Sequence, residues 1–421
     1  MRILFRILFR RFDVFHIFVV RLAGHVIQIF LCFLRDFFCQ FHLCICCFYL
    51  ICILALRLYC CLLFGFRLFF RFMAKTFLLF FLGRNHSVGI QPDVIVCRSE
   101  HPLTTEIKDK IALFCNVPSS HVLQNLDVEY LYEAPLAMEK ENLAQVVCES
   151  LHLPCPEPDL SDWTHMVEAL RHPNKEVTIA LVGKYIQLHD AYLSVVEALK
   201  HGGIASHANV HLKWVDSELV TEENVAEYLS DVDGVLVPGG FGNRGIEGMI
   251  TAIRYARENK IPFLGLCLGM QLTIVEYARN VLGYHDAHSI EMNPNTMHPV
   301  IALMPDQDGI EDIGGTLRLG AYPCVLADGS KAQELYGEKE ISERHRHRYE
   351  VNNDFRKALT ENGMVLSGVS PDGRIVEMVE LSDHPFYIAT QAHPEFKSRP
   401  NRPHPLFRGL IAAAAEYHAA K

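Results

Sequence analysis

A cysteine set between two glycines at the end of an apolar run, in Ile261-Pro-Phe-Leu-Gly-Leu-Cys-Leu-Gly-Met-Gln, constrains this chain more than any other stretch. Residues 262–266 read as a short strand and the residues from Met270 onward as a helix, so Cys267 falls on the turn between them. Small neighbours at Gly265 and Gly269 permit a sharp, strained turn that lifts the side chain out of the sheet. The helix N-terminus beside it favours an anionic group. The surroundings repeat this grammar. Apolar runs at 177–182, 210–215, 234–237 and 262–266 alternate with helical spacing at 191–200, 222–229 and 248–258. Short buried strands separated by helices predict α/β units and an open, mostly parallel sheet with its site at the carboxyl ends of the strands.

A cysteine nucleophile needs a base, and the base needs a group to orient it. Phe386-Tyr-Ile-Ala-Thr-Gln-Ala-His-Pro-Glu-Phe offers both, with His393 after a strand-like run and Glu395 two residues on. Among 22 histidines, one taken alone reads as a core or surface residue; strand, His, Pro and Glu together are more specific. An oxyanion needs backbone donors, and Val235-Leu-Val-Pro-Gly-Gly-Phe-Gly-Asn-Arg-Gly ends another strand in glycines. The amides of Gly240 and Leu268 are assigned that role. The same stretch satisfies G-x-G-x-x-G, the mark of a dinucleotide-binding dehydrogenase. That reading needs an acidic residue at the end of the next strand, where Cys267 stands instead.

Composition divides the chain. Residues 1–85 hold 19 of the 26 Phe and 8 of the 14 Cys, and carry a formal charge of +9, which leaves −19 for the remainder of a chain at −10. This leader reads as an artefact of assembly or as a membrane segment, since 37–56 is a charge-free run long enough to span, although arginines interrupt its flanks. Residues 86–158 carry a strand at 92–97 and helices at 105–114 and 136–151. A proline-rich tract follows, so 159–176 is read as a linker and 177–421 as the main domain. The acidic balance gives no reason to propose nucleic acid as a partner, and the scattered cysteines downstream suit a reducing, cytoplasmic setting. No metal site is read. His345 and His347, taken by themselves, read as a solvated basic loop or as a metal pair.

Together the elbow, the Pro-Gly-Gly-Phe-Gly turn and the His-Pro-Glu resemble class I, triad-type glutamine amidotransferases. Val182-Gly-Lys-Tyr, Gly314-Gly-Thr-Leu-Arg-Leu-Gly and Glu343-Arg-His-Arg-His-Arg-Tyr-Glu-Val-Asn-Asn narrow the resemblance to the CTP synthase family. Residues 86–158 resemble the end of that family's P-loop-like synthetase domain. The resemblance implies hydrolysis of glutamine and ATP-dependent amination of UTP to CTP, with magnesium, with GTP as allosteric activator, and in a homo-oligomer, a tetramer. It implies that Gly240, Leu268, Gly269, Met270, Gln271, Glu291 and Arg348 bind glutamine, with Arg348 on its carboxylate. It implies a nucleotide-binding remnant at Lys110, Leu126, Asp127 and Val128, and a lid at 311–320, with Arg318, through which GTP acts. The family's phosphate-binding loop and acidic magnesium ligands have no counterpart in 1–85, and no G-x-x-x-x-G-K-[ST] occurs in the chain. A glutaminase-only fragment or a non-catalytic regulatory subunit are the alternatives.

Overall fold

The computed structural model describes residues 91–303 and 318–421. The expectations for 1–85 and for 311–317 of the lid lie outside the described residues. Two compact units are present. In the smaller one, Thr104 caps the helix Thr105–Cys115 by accepting from the Ile107 amide, and Asn116 closes it in the left-handed region at φ 53°. Ile111, Ala112, Cys115 and Val122 form its small core. Strands β1 (Ile95–Ser99) and β2 (Val122–Leu126) make a two-stranded sheet.

The larger unit takes in Arg98–Pro102 and Gln124–Lys421. Its strands β3 (Lys175–Gly183), β4 (Ala208–Asp216), β5 (Gly234–Val237) and β6 (Phe263–Leu266) come first in the chain. A small separate sheet is built from β7 (His288–Ser289), β8 (Pro299–Ala302) and β11 (Glu350–Val351). The main sheet is completed by β9 (Arg318–Leu326), β10 (Glu340–His347), β12 (Met364–Val369), β13 (Val376–Leu381) and β14 (Tyr387–Thr390). Its order is β10-β9-β12-β13-β14-β6-β5-β3-β4 among the described residues.

From β14 to β4 neighbouring strands are parallel; from β10 to β14 they are antiparallel. The parallel half is the one the alternating pattern predicts. Its central strands are buried at every position, because helices cover both faces. Val235 and Val237 point into the core beneath the helices Ile246–Glu258 and Leu268–Asn280. Leu236 points into the opposite core, with the helices Leu193–Ala205 and Pro405–Ala420. Truncating a side chain such as Leu236 to Ala costs about 2–5 kcal/mol. Paired ends matter more for function. Thr390 lies opposite Leu266, and Gly265 opposite Val237, so β14, β6 and β5 release their chains side by side.

Upstream, the single helix expected at 136–151 is two, Ala134–Glu139 and Leu143–Ser150, broken where Asn142 takes φ 59°. Within the stretch read as a linker, Ser161–Arg171 is helical and buries Met166 and Val167 against Ile204. Trp163 donates to the Tyr132 carbonyl at 2.7 Å, and the Tyr132 hydroxyl reaches Glu197 at 2.6 Å and His201 Nε2 at 2.7 Å. His201 Nδ1 lies 2.9 Å from the Ser398 hydroxyl. The expected solvated loop at His345 and His347 is instead strand β10, with both rings buried on one side. Their ring nitrogens find partners inside the protein: His345 Nδ1 meets His347 Nε2 at 3.0 Å, and His347 Nδ1 meets the Tyr349 carbonyl at 3.3 Å. The metal-pair alternative is met by no group of three or more metal-ligating side chains among the described residues.

Candidate active site

Cys267 is the last residue before the helix Leu268–Asn280 and stands at φ 51°, ψ −100°. That is a strained conformation for a side chain with a Cβ, of order 1–3 kcal/mol, and it persists only where surrounding packing over-determines it. The packing is visible. A Cβ on Gly269 would lie 2.2 Å from the Val237 carbonyl, and one on Gly265 3.0 Å from Ala389. The elbow therefore exists because helix and strands approach to glycine distance on both sides of the cysteine. The Cys267 amide donates to the Thr390 carbonyl at 2.7 Å, fastening the elbow to the end of β14.

Three residues beyond β14, His393 is held by its amide, which donates to the Arg344 carbonyl at 2.7 Å. Its Nδ1 meets Glu395 Oε1 at 2.8 Å. Burial works against charge on this imidazole, but hydrogen bonds to the Cys267 sulfur and to Glu395 outweigh it and push its pKa up to about 10. A Cβ at Gly239 would sit 2.9 Å from His393 Cε1 and 3.5 Å from Cys267 Cβ. Glycine there leaves the sulfur and the ring their common space.

The structure brings most of the expected glutamine-binding residues to this spot. Leu268 opens the helix, so its amide has no intrahelical acceptor, and Gly240 lies against the Leu268 side chain. Gly269, Met270 and Gln271 form the first turn, all buried. Glu291 is half-buried, its carboxyl raised by burial and opposed by Lys184, by the Gly242 amide and by Arg348. Arg348 keeps a buried Nε with no hydrogen-bond partner. A buried, unmatched guanidinium donor suits a carboxylate brought by a ligand. Arg318 is turned into the protein, its charge matched by Glu350 and Glu377 and its guanidinium over the Tyr322 ring at 4.4 Å. Lys110 stands exposed on the first helix. Leu126 ends β2, with Asp127, paired to Arg98 at 3.1 Å, and Val128 directly after it.

Two residues carry more than their sequence suggested. Lys184 is buried and donates to the Phe241 carbonyl at 3.1 Å and the Gly242 carbonyl at 2.6 Å, fixing the loop that presents Gly240. Burial, then Arg244, pushes its pKa down to about 8. These carbonyls gather around a cation, so the loop does not have the cradle of amide donors that a dinucleotide pyrophosphate needs. Gln391 is wholly buried with its amide nitrogen 3.6 Å from the Cys267 sulfur. A polar residue two positions before His393 at a strand end was the available signal, since residues i and i+2 face the same way.

The model of the glutamine amidotransferase class-I family matches residues 187–413, and that of the CTP synthase N-terminus matches residues 82–153. A CTP synthase of Clostridium beijerinckii is 59% identical over 334 residues, covering 79% of this chain and 62% of that protein. One from Carboxydothermus hydrogenoformans is 58% identical over 328 residues, with 78% and 61% covered. The chain thus spans about three fifths of the length of these curated relatives. Among solved structures, the glutaminase domain of a Trypanosoma brucei CTPS with bound acivicin matches at 38% identity and a TM-score of 0.55, covering 57% of this chain and 94% of that one. With the elbow cysteine, the imidazole against it and a family match across more than half of its residues, the chain belongs to the class-I glutamine amidotransferases.

Proposed function

We propose that this chain hydrolyses glutamine to glutamate and ammonia with a Cys267–His393–Glu395 triad, and that it is the glutaminase part of a CTP synthase, in which the ammonia aminates UTP to CTP. The observation that carries the reading is His393, whose Nδ1 meets Glu395 at 2.8 Å and whose ring shares with Cys267 the space that Gly239 leaves open. Arg348 takes the substrate carboxylate and Glu291 its ammonium. The sulfur attacks the side-chain carboxamide carbon, and the oxyanion is met by the amides of Gly240 and Leu268. His393 passes its proton to the nitrogen as the C–N bond breaks and ammonia leaves. Water, deprotonated by the now neutral imidazole, then attacks the thioester, releasing glutamate and returning the proton to the pair.

ATP with magnesium to activate UTP, GTP as activator and a homotetramer belong to the same reading, as does a cytoplasmic setting. Among the described residues no helix is long and apolar enough to cross a membrane, and no group of three metal-ligating side chains stands ready for magnesium. Glutamate release by the purified chain, abolished in Cys267→Ser, tests the glutaminase. CTP is expected only when a synthetase domain is supplied. CTP formed by this chain alone from UTP, ATP and ammonia would overturn its assignment to the glutaminase half.

A further inference from the structure

Behind the nucleophile lies a chain of side-chain amides that the triad does not use. Gln391 Oε1 accepts from Gln271 Nε2 at 3.3 Å, and the same Gln271 nitrogen donates to the Tyr349 carbonyl at 3.2 Å. Gln391 Nε2 in turn faces Cys267 Sγ at 3.6 Å. All of this is out of solvent: Gln391 is 0% and Gln271 5% exposed. The direction of the chain follows from its far end. A backbone carbonyl can only accept, so Tyr349 draws the NH2 of Gln271 toward itself. That NH2 also meets Gln391, which must answer with its oxygen. The remaining end of Gln391, its NH2, is therefore presented to the sulfur. The Gln391 backbone is fixed as well, its amide donating to the Glu377 carbonyl at 2.9 Å.

An amide nitrogen can only donate, and a sulfur that receives it must accept. A thiolate accepts strongly and a thiol weakly. We propose that Gln391 is a further catalytic residue, whose side-chain amide donates to the Cys267 sulfur and holds it as a thiolate aimed at the substrate, and that Gln271 is the positioning residue that orients this donor. Another neighbour of the sulfur, the Arg346 carbonyl at 4.0 Å, is an acceptor, so Gln391 supplies a side-chain donor from the protein's interior. The inference rests on the glutaminase reading.

Iodoacetamide, a neutral alkylating agent that needs no glutamine recognition, reports thiolate reactivity separately from turnover. Gln391→Met removes the donor at similar volume. The expected result, at the strength of a hydrogen bond to a charged group, is a fall of about tenfold in both the alkylation rate of Cys267 and kcat, with KM for glutamine unchanged. Gln391→Glu, which sets an acceptor against the sulfur, is expected to fall further. Gln271→Met is expected to slow alkylation less than Gln391→Met. Should Gln391→Met fail to fold, Gln391→Asn withdraws the amide by one methylene and is expected to slow alkylation likewise. Alkylation at the parent rate in the folded variant overturns the proposal. A parent protein that is readily alkylated yet releases no glutamate defeats the glutaminase reading instead.

Discussion

His393, partly buried, and His345, fully buried, lie on adjoining segments and are driven in opposite directions. His393 is pushed up to about 10, while His345 is pushed down to about 3 by burial and then by Arg318. Burial opposes charge in both, so the difference lies in what each ring faces. His393 has a carboxylate of its own, Glu395, and an ionisable sulfur. His345 has Glu377 at 3.6 Å, but that carboxylate is already matched by Arg318 at 2.8 Å. His347, 3.0 Å from His345 Nδ1, is pushed down too, by burial first and then by His345 and Arg318. A proton is thus kept only where a negative partner remains unclaimed, and that place is the reaction site.

The largest effects break the charged side of this comparison. Cys267→Ser and His393→Ala are expected to lower glutamine hydrolysis by about a thousandfold or more with the fold retained. Glu395→Ala should keep more activity than either, since orienting a base contributes less than being the base. A Ser variant with substantial glutamate release would remove sulfur from the mechanism. Next in size, Arg318→Met strips the counter-charge from Glu350 and Glu377. It should cost about 3–5 kcal/mol in denaturant unfolding. It should also free Glu377 for His345, whose ring resonances would then titrate closer to neutral pH; an unmoved titration would show that burial alone sets its state.

A smaller effect separates the two histidines by pH. In the unfolded chain each titrates near about 6.5. His393 binds its proton more tightly when folded, so its contribution to stability is complete below about pH 6.5 and is lost as pH rises toward about 10. His345 resists protonation when folded, so its contribution is present above about pH 6.5 and is lost as pH falls toward about 3. Urea midpoints across pH should therefore lose their alkaline slope in His393→Gln and part of their acid slope in His345→Gln. The acid slope persists in part because His201 and His384 are also pushed down, each to about 4. Flattening of the same limb by both variants would refute the opposed assignments. The smallest effect is the contrast with solvent. Lys357→Ala breaks an exposed pair at 3.7 Å to Glu361 and should leave the midpoint unmoved.

Much of the reactive side was legible because it sits on short, mostly apolar strands buried at every position and on turns that demand glycine. The runs ending at Leu266 and Thr390 announce buried parallel strands, and Gly265, Gly269 and Gly239 mark close approaches that the structure contains. The opposite edge of the sheet was not legible. Strand β10 alternates buried and exposed residues as a strand should, but Glu343, His345 and His347 occupy its buried positions. Read by residue type they suggest solvent, and only the contacts of the fold, such as His404 against Glu343 and His345 against His347, make their burial tolerable. Gln391 was hidden for a related reason: its role depends on Gln271, far away in the chain.

Tyr132, His201 and Ser398 set a limit on modularity. Anyone seeking the smallest transplantable glutaminase would cut at the proline-rich tract, where the chain has no regular structure and looks severable. Such a cut removes Tyr132 and leaves the buried Nε2 of His201 without its 2.7 Å partner, while the cluster of Met166, Val167 and Ile204 loses Tyr132 and Leu136. The damage does not stay at the cut. Ser398, at the other end of that hydrogen-bonded line, follows Glu395 by three residues and also accepts from the His404 amide. A graft that keeps every residue of the triad but begins after the tract would import the reaction without the brace behind its base. The transferable piece begins before Tyr132.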